Sequence, residues 1–452
     1  MTRRIAAPHF NNEEFTRAMS EPSIRTQHDS SRRSTRWRLP GLAGLCVAIA
    51  SAGPASAQDD EGDDPVWGVN AEIALEYESE RNFNLDADDD ENEAVVKPEF
   101  NLELSYRPTP QFAGFARLEL SRDYGVSGPE ADTGETALNL AEAYIAREGI
   151  AFPGAGELSL TLGRQRFADE RQWLYDVQLD GFTLRYDYED FQVSLSAVRQ
   201  RNRDLLSDDR GDESDNVIAY GTYEFEDRVV GGYLMEHQER QDGEERTLFT
   251  GLQSYGELWD DTDYWIDVAM ANGENDDGTI RGWGIDGGLV RSFDAPLSPV
   301  LMVGYAFGTG DDDPDDGTDD AFRQTGFQDN EQDLGGQVGL PSLGLLLEPE
   351  LSNLQVFSVG IGLTPHERVS TQLVFHRYRQ HLASSILRDT NLDDDPNGTD
   401  RDLGYAVDWA LGLEIGEATE IEAVAGYFNP GDAFDDGADD ALFLGMEISY
   451  EF

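Results

Sequence analysis

From Trp67 to its last residue the chain alternates apolar and polar side chains with a period of two, the pattern of a strand that is apolar on one face only. The end of the chain shows it best. Leu442, Leu444, Met446, Ile448, Tyr450 and Phe452 share one face, and Ala441, Phe443, Gly445, Glu447, Ser449 and Glu451 share the other. Near the start, Trp67, Val69, Ala71, Ile73, Leu75 and Tyr77 oppose Asn70, Glu72, Glu76 and Glu78, and then Phe100, Leu102, Leu104 and Tyr106 oppose Glu99, Asn101, Glu103 and Ser105. Aromatic residues gather at segment ends, where the girdles of a membrane barrel belong. Two packed sandwich faces would also leave apolar rows, so the connections have to decide.

They alternate in length. Short turns are expected at Arg107 to Gln111, Glu189 to Asp190, Glu226 to Arg228, Thr364 to Arg368 and Gly416 to Thr419. Long acidic excursions are expected at Glu78 to Pro98, Asn202 to Asp215, Gln380 to Asp402 and Phe428 to Asp440. Tight periplasmic turns with longer outer loops give this rhythm, and about 18 strands leave both termini on the periplasmic side. The prediction is an all-β, transmembrane, antiparallel up-and-down β-barrel with long acidic extracellular loops, placed in a bacterial outer membrane. Its first and last strands should close on each other antiparallel. The Leu-rich piece Gly335 to Leu347 is long enough for a strand, but one more strand breaks the parity. Residues 308–353 are therefore read as one long outer excursion able to fold back as a plug.

Composition agrees. At 39% hydrophobic and 27% charged the chain is too polar for a bundle of membrane helices, and nothing after residue 57 is long and apolar enough to span as one. Residues 1–57 read as a secretory signal: Arg32, Arg33, Arg36 and Arg38 precede the apolar run Leu42 to Ala52, and Ala55-Ser56-Ala57 offers a small-residue cleavage site. Met19 is an alternative start. Residues 58–452 then form one domain, with no internal repeat. The single cysteine, Cys46, lies within the signal, so the mature chain has no thiol or disulfide.

Taking the eight Arg and four acidic residues of 1–57 from totals of 33 basic and 91 acidic leaves 25 and 87, a net charge of -62. Such a charge excludes nucleic acid as a partner. Runs such as Asp311 to Asp320 read as solvated loop faces, suited to a salt-rich habitat. The run Asp393-Asp394-Asp395-Pro396-Asn397-Gly398-Thr399-Asp400 offers hard oxygen ligands for calcium, although it lacks EF-hand spacing and a closing Glu. A solvated acidic loop is the plainer reading, and no other cofactor is expected.

The most distinctive segment is Gly163-Arg164-Gln165-Arg166-Phe167-Ala168-Asp169-Glu170-Arg171-Gln172-Trp173-Leu174-Tyr175-Asp176, which runs into Leu179-Asp180-Gly181. It resembles the GRQR motif of the alginate-export (AlgE-type) outer-membrane family. Three further segments match that family in order: Phe322-Arg323-Gln324-Thr325-Gly326-Phe327-Gln328-Asp329-Asn330, Glu348-Pro349-Glu350-Leu351-Ser352-Asn353-Leu354, and Phe375-His376-Arg377-Tyr378-Arg379-Gln380. The resemblance implies a monomeric barrel of 18 strands whose arginine-lined pore passes the polyuronate alginate, fed by a periplasmic scaffold of helical repeats.

The residue chemistry is compatible with such a cargo. A polyuronate carries a carboxylate on every ring, which Arg grips with a planar fork and Lys only with a point charge. The chain has 32 Arg and one Lys, Lys97, a skew that a GC-rich genome would also produce. A conduit must attract without trapping, so arginines should be interleaved with carboxylates, as Arg164, Arg166 and Arg171 are with Asp169 and Glu170. Trp173 and Tyr175 could stack on sugars or simply pack a loop. By alternation Arg117, Glu119, Glu142 and Arg185 face the lumen. The same rule puts Arg164 and Arg166 on the face of Leu158, Leu160 and Leu162, so either Gly163 marks a bulge or these arginines sit above the hydrocarbon. Arg323, Arg377 and Arg379 are implied only by the resemblance, with pairing to loop carboxylates as the alternative.

Two other function classes stay open. A general anion-selective porin or an uptake channel for acidic sugars would use the same arginines. An enzyme built on a barrel is disfavoured, since His237, His366, His376 and His381 sit in no recognisable Ser/His sequence pattern.

Overall fold

The computed structural model describes residues 66–86, 92–128, 134–151, 156–207, 213–240, 245–275, 278–332, 334 and 338–452. The expected signal segment, 1–57, lies outside the described residues. Eighteen long strands close into an antiparallel barrel. In chain order they are β1 (Val66–Arg81), β2 (Asn92–Thr109), β3 (Phe112–Arg122), β4 (Thr136–Ala151), β5 (Glu157–Ala168), β6 (Asp176–Tyr188), β7 (Phe191–Gln200), β8 (Ser214–Phe225) and β9 (Arg228–Glu239). The second half comprises β10 (Arg246–Trp259), β11 (Thr262–Asn275), β12 (Gly278–Ser292), β13 (Val300–Gly308), β14 (Leu354–His366), β15 (Val369–Gln380), β16 (Asp402–Ile415), β17 (Thr419–Pro430) and β18 (Ala441–Glu451). Each pairs with its sequence neighbours, and closure runs β1 to β18 from Glu72↔Glu451 to Arg81↔Leu442. Phe452 completes the seam: its N–H donates to the Ala71 carbonyl at 2.9 Å, and its carbonyl accepts from Ala71 at 3.2 Å.

The outward face is the apolar row of the alternation. Leu442, Leu444, Met446, Ile448 and Tyr450 are exposed, as are Leu373 and Phe375 on β15. A water-soluble protein does not present so continuous an apolar belt, whereas lipid requires one. Near the periplasmic turns the belt ends in rings such as Trp67 stacked on Tyr106, with centroids 4.0 Å apart.

The short turns fall where the alternation places them, and each long excursion is an outer connection. The first is shorter than expected, because β1 runs on to Arg81 and β2 begins at Asn92. The charged residues Glu78 and Glu80 disguise the continuing strand, although their backbones pair with Val95 and Glu93.

Among the described residues, 309–353 contribute no barrel strand. Thr318–Asp319 pairs parallel with Thr279 and Ile280 of β12, and Glu331–Gln332 pairs with Leu340–Pro341. Other described residues of this segment fold back inside. Leu334 packs on Gly360 and Gly362 of β14, the Gln372 side chain donates to the Val338 carbonyl at 2.6 Å, and Leu346, Leu347 and Leu351 are fully buried. Lumenal glycines make this approach possible: a Cβ at Gly362 would meet the Leu334 carbonyl oxygen at 2.7 Å.

A second element enters the lumen with it. The upper half of the β5–β6 hairpin leaves the wall on both sides. The β4–β5 ladder ends at Ala143↔Arg164, and the β6–β7 ladder ends at Asp180↔Arg199, while β5 and β6 stay paired to Ala168↔Asp176. The bend lies at Gly163↔Gly181. Gly163 has φ +129, and a Cβ there would meet the Ala143 carbonyl at 2.2 Å; at Gly181 it would meet the Ala197 carbonyl at 2.2 Å. Only glycine permits both the dihedral and the approach. The edge that β5 vacates on β4 is taken by the 201–207 connection, with Leu140 N–H to the Arg203 carbonyl at 3.0 Å and Leu205 N–H to the Leu138 carbonyl at 2.8 Å. The backbone groups of β4 therefore stay satisfied within the membrane.

Candidate functional site: the lumen and its plug

At the tip of the infolded hairpin the chain turns on Asp169. Its carboxylate accepts the backbone N–H groups of Trp173 (3.3 Å), Leu174 (2.8 Å) and Tyr175 (3.0 Å). Burial pushes this carboxyl up, and those three donors pull it back. Asp169 is thus a turn-former rather than a cargo contact. Glu170 is exposed beside it. Arg171 reaches the far wall, where its Nη1 lies 2.7 Å from Asp286 and 3.1 Å from Asp267, and its guanidinium sits 4.6 Å from the Trp265 ring. One arginine on two inward carboxylates of β11 and β12 pins the hairpin across the barrel.

The plug and the hairpin clasp each other. Gln324 donates to the Trp173 carbonyl (3.2 Å) and to Asn330 (2.8 Å), while Thr325 Oγ1 donates to the Leu174 carbonyl. Trp173 and Tyr175 are buried, Trp173 against Phe322 with centroids 6.2 Å apart, so packing is the role the structure displays for both. Arg323 donates to Glu245 at 2.8 and 2.9 Å and to Asp319 at 2.5 Å. It ties the plug to the outer rim.

The other arginines singled out from sequence separate into three groups. Arg117, Glu142 and Arg166 come together on the lumenal side of β3–β5. Arg117 lies 2.8 Å from Glu119 and 4.0 Å from Glu142, Glu142 accepts the Arg166 N–H at 3.4 Å, and Arg166 grips Asp176 with two bonds of 2.6 and 2.7 Å. Arg185 stands lower on β6, 2.9 Å from Asp187.

Arg164 is in the wall, not the lumen, a correction to the expectation of pore lining. No bulge turns it, since the β5–β6 register runs unbroken through Gly163. The hairpin has moved inward, so its former lipid face now lies under the 201–207 connection. There Arg164 bonds Asp180 (2.8 and 2.9 Å), the Leu140 carbonyl (3.1 Å) and the Arg201 carbonyl (3.4 Å).

Arg377 and Arg379 are also misassigned as pore lining. Both are exposed on the outward face of β15 in line with Leu373 and Phe375, while Val374, His376, Tyr378 and Gln380 point inward. Arg377 pairs with Asp402 at 2.5 Å, in the rim above the apolar belt.

Sequence reasoning missed a buried chain on the inner wall of β14–β16. Ser358 Oγ lies 2.8 Å from His376 Nδ1, His376 Nε2 lies 3.2 Å from Asp408, and Asp408 accepts the Leu345 N–H of the plug at 2.9 Å. This is a Ser and a His directly opposite each other with an Asp diagonally across on the next strand, formed across three strands and therefore without a signature along the chain. The three are 5%, 1% and 0% exposed. With the plug seated on Asp408 there is no face for a substrate, and the chain works as its dock. The inward parity of all three residues was the available signal.

In the loop considered for calcium, Asn397 Oδ1 accepts the Thr399 N–H and hydroxyl. Asn397 Nδ2 donates to the Asp432 and Phe434 carbonyls, and Asp400 accepts the Arg401 and Asp402 N–H groups. Among the described residues, carboxylates close enough to share a cation gather instead at Asp311, Asp312 and Asp320.

The comparisons with known proteins follow this geometry. The family model described as "Alginate export" matches residues 66–442, the whole barrel but for part of β18. The alginate production protein AlgE of Azotobacter vinelandii is 28% identical over 137 residues, a match spanning 28% of this chain and 28% of that protein. Among solved structures, OccK5 (OpdH) of Pseudomonas aeruginosa superposes with a TM-score of 0.55 at 11% identity, covering 86% of this chain and 98% of its own. OccAB3 of Acinetobacter baumannii gives 0.54 at 11%, covering 85% and 99%. These likenesses show the fold, an outer-membrane barrel of 18 strands. With the apolar belt, the closed barrel and the match over residues 66–442, the chain belongs to the alginate-export family of bacterial outer-membrane proteins.

Proposed function

We propose that this barrel is a passive conduit exporting an anionic polysaccharide, alginate, after removal of residues 1–57. The family match along nearly the whole barrel carries this reading. The lumenal residues support a mechanism by exchange. Arg117 and Arg185 each already hold a wall carboxylate and Arg166 holds one on the infolded hairpin, so an incoming uronate replaces a carboxylate like itself and is released when that carboxylate returns. Such a step attracts the chain without trapping it. No bond is made or broken, and the driving force is polymer synthesis behind the pore. The plug and the infolded hairpin must shift for a polymer to pass, and a periplasmic helical-repeat scaffold feeding a monomeric barrel is the expected arrangement.

Deleting the gene in its host and restoring wild type or an Arg117→Ala/Arg166→Ala variant tests this. Polymer should accumulate in the periplasm of the deletion strain, return to the medium with wild type, and return poorly with the variant. Unchanged secretion in the deletion strain overturns the proposal. Uptake of monomeric uronate without any effect on polymer would instead identify a sugar channel.

A further inference from the structure

The lumenal wall formed by β17, β18 and β1 to β3 is acidic. Inward residues of neighbouring strands line up in rows. One reads Glu451 (β18), Glu72 (β1), Asn101 (β2) and Glu119 (β3); the next reads Glu422 (β17), Glu447 (β18), Glu76 (β1) and Lys97 (β2). Three of these contacts, Glu72↔Glu451, Glu76↔Glu447 and Glu422↔Glu447, set like charges directly opposite each other, which destabilises a sheet. Cations of the protein answer only part of it. Lys97 stands 3.7 Å from Glu76 and 3.5 Å from Glu99, and Arg117 is held by Glu119 and Glu142. Among the described residues, no Arg, Lys or His lies within ion-pair distance of Glu72 or Glu447.

An independent observation falls in the same row. Asn101 is only 5% exposed, its Nδ2 donates to Glu99 at 3.0 Å, and its Oδ1 is buried without a hydrogen-bond partner. Turning the amide over would set its oxygen against the Glu99 carboxylate, so the orientation is fixed. A buried carbonyl oxygen flanked by Glu72 and Glu119 lacks a positive partner. A proton on one carboxylate would leave the Asn101 carbonyl without a partner, whereas a cation answers the carbonyl and the Glu72↔Glu451 contact of the same row.

We propose that this wall binds a divalent cation of the calcium type, held by the Glu72 carboxylate and the Asn101 carbonyl with Glu451 and Glu119 alongside. Residues directly opposite on neighbouring strands stand about 5 Å apart at Cβ, so two or three protein oxygens reach the ion and water completes its shell. Hard cations with flexible oxygen shells tolerate this geometry, and calcium more readily than magnesium. Loose coordination suits a conduit, where ions must leave as well as enter. A cation here also screens the wall from a passing polyanion. The inference goes beyond export and does not depend on the cargo.

Thermal unfolding of the purified full barrel in detergent, with calcium chloride titrated at constant high potassium chloride, tests it without polymer. High salt screens the outer acidic loops. The wild-type Tm should rise saturably with calcium, rise less with magnesium, and lose the calcium response in Glu72→Gln and in Asn101→Ala. The loop variant Asp311→Asn/Asp312→Asn/Asp320→Asn should keep it. A wild type insensitive to calcium, or an Asn101→Ala protein that responds like wild type, overturns the proposal. Asn101→Ala leaves every charge in place, so the answer stands even if Glu72→Gln fails to assemble. Failure here would leave the export reading untouched, since no cargo enters the assay.

Discussion

At the scale of single residues, the arginines of this barrel are defined by what they already hold. Arg171 is the clearest case, with two buried carboxylates and an indole ring about one guanidinium. Replacing it with Ala leaves Asp267 and Asp286 facing each other without a cation. Breaking a buried pair in this way costs about 3–5 kcal/mol. The expected outcome is loss of protection in residues 165–179 by hydrogen exchange, with the barrel itself intact. Glu350 makes a pH prediction. It is buried in the plug, accepts the Gln324 N–H, and burial with Asp389 nearby pushes its carboxyl from 4.5 up to about 7 despite Arg388 and Arg323. A raised carboxyl favours the protonated form in the fold, so its contribution is complete below about pH 4.5 and is lost as pH rises through 7. Limited proteolysis of 321–352 should be slower at pH 5.5 than at pH 8, and Glu350→Gln should flatten that difference. An unchanged profile in the variant would show that another group sets it.

Among the elements, the β5–β6 hairpin is the one whose position alternation does not reveal. Its residues keep strict strand parity, yet the Gly163↔Gly181 bend carries the upper half off the wall. A side chain at either glycine collides with a neighbouring backbone carbonyl, which cannot move aside as a flexible side chain would. Gly163→Val is therefore expected to hinder assembly, read as loss of the compact, heat-modifiable band in gel electrophoresis, and Gly437→Val, at an exposed outer turn with open space about it and no positive φ, to be tolerated. The same bend explains why three arginines read from one motif serve different ends: Arg164 seals the wall, Arg166 grips Asp176 beside the lumenal Glu142, and Arg171 crosses the lumen.

For the whole molecule, wall and filling are separable. The closed ladder of 18 strands depends on none of 321–349 for its backbone pairing, whereas the plug depends on the wall through Asp408, Gln372 and the lumenal glycines. Removing 321–349 and joining the ends with a short Gly/Ser linker should leave a folded barrel of lower Tm and raise single-channel conductance in planar bilayers several-fold. Conductance equal to wild type would mean that the plug does not obstruct the path.

The alternation by itself determined the lipid face, the short turns and the antiparallel closure of β18 on β1, and the parity of the connections set the strand count at about 18 with 308–353 read as an excursion. A side-chain period of two and a lipid solvent act on each strand independently, so that information is local. Motif order carried the family. What only the tertiary structure decided was which inward and outward positions become lumen. Arg164 is sealed because a hairpin left the wall, Arg377 and Arg379 lie outside because their strand keeps its parity to the rim, and Ser358, His376 and Asp408 meet because pairing sets Ser358 opposite His376 and Asp408 diagonally across on the next strand. Those outcomes depend on packing between segments far apart in the chain, where a glycine's missing side chain matters through what comes to occupy its place.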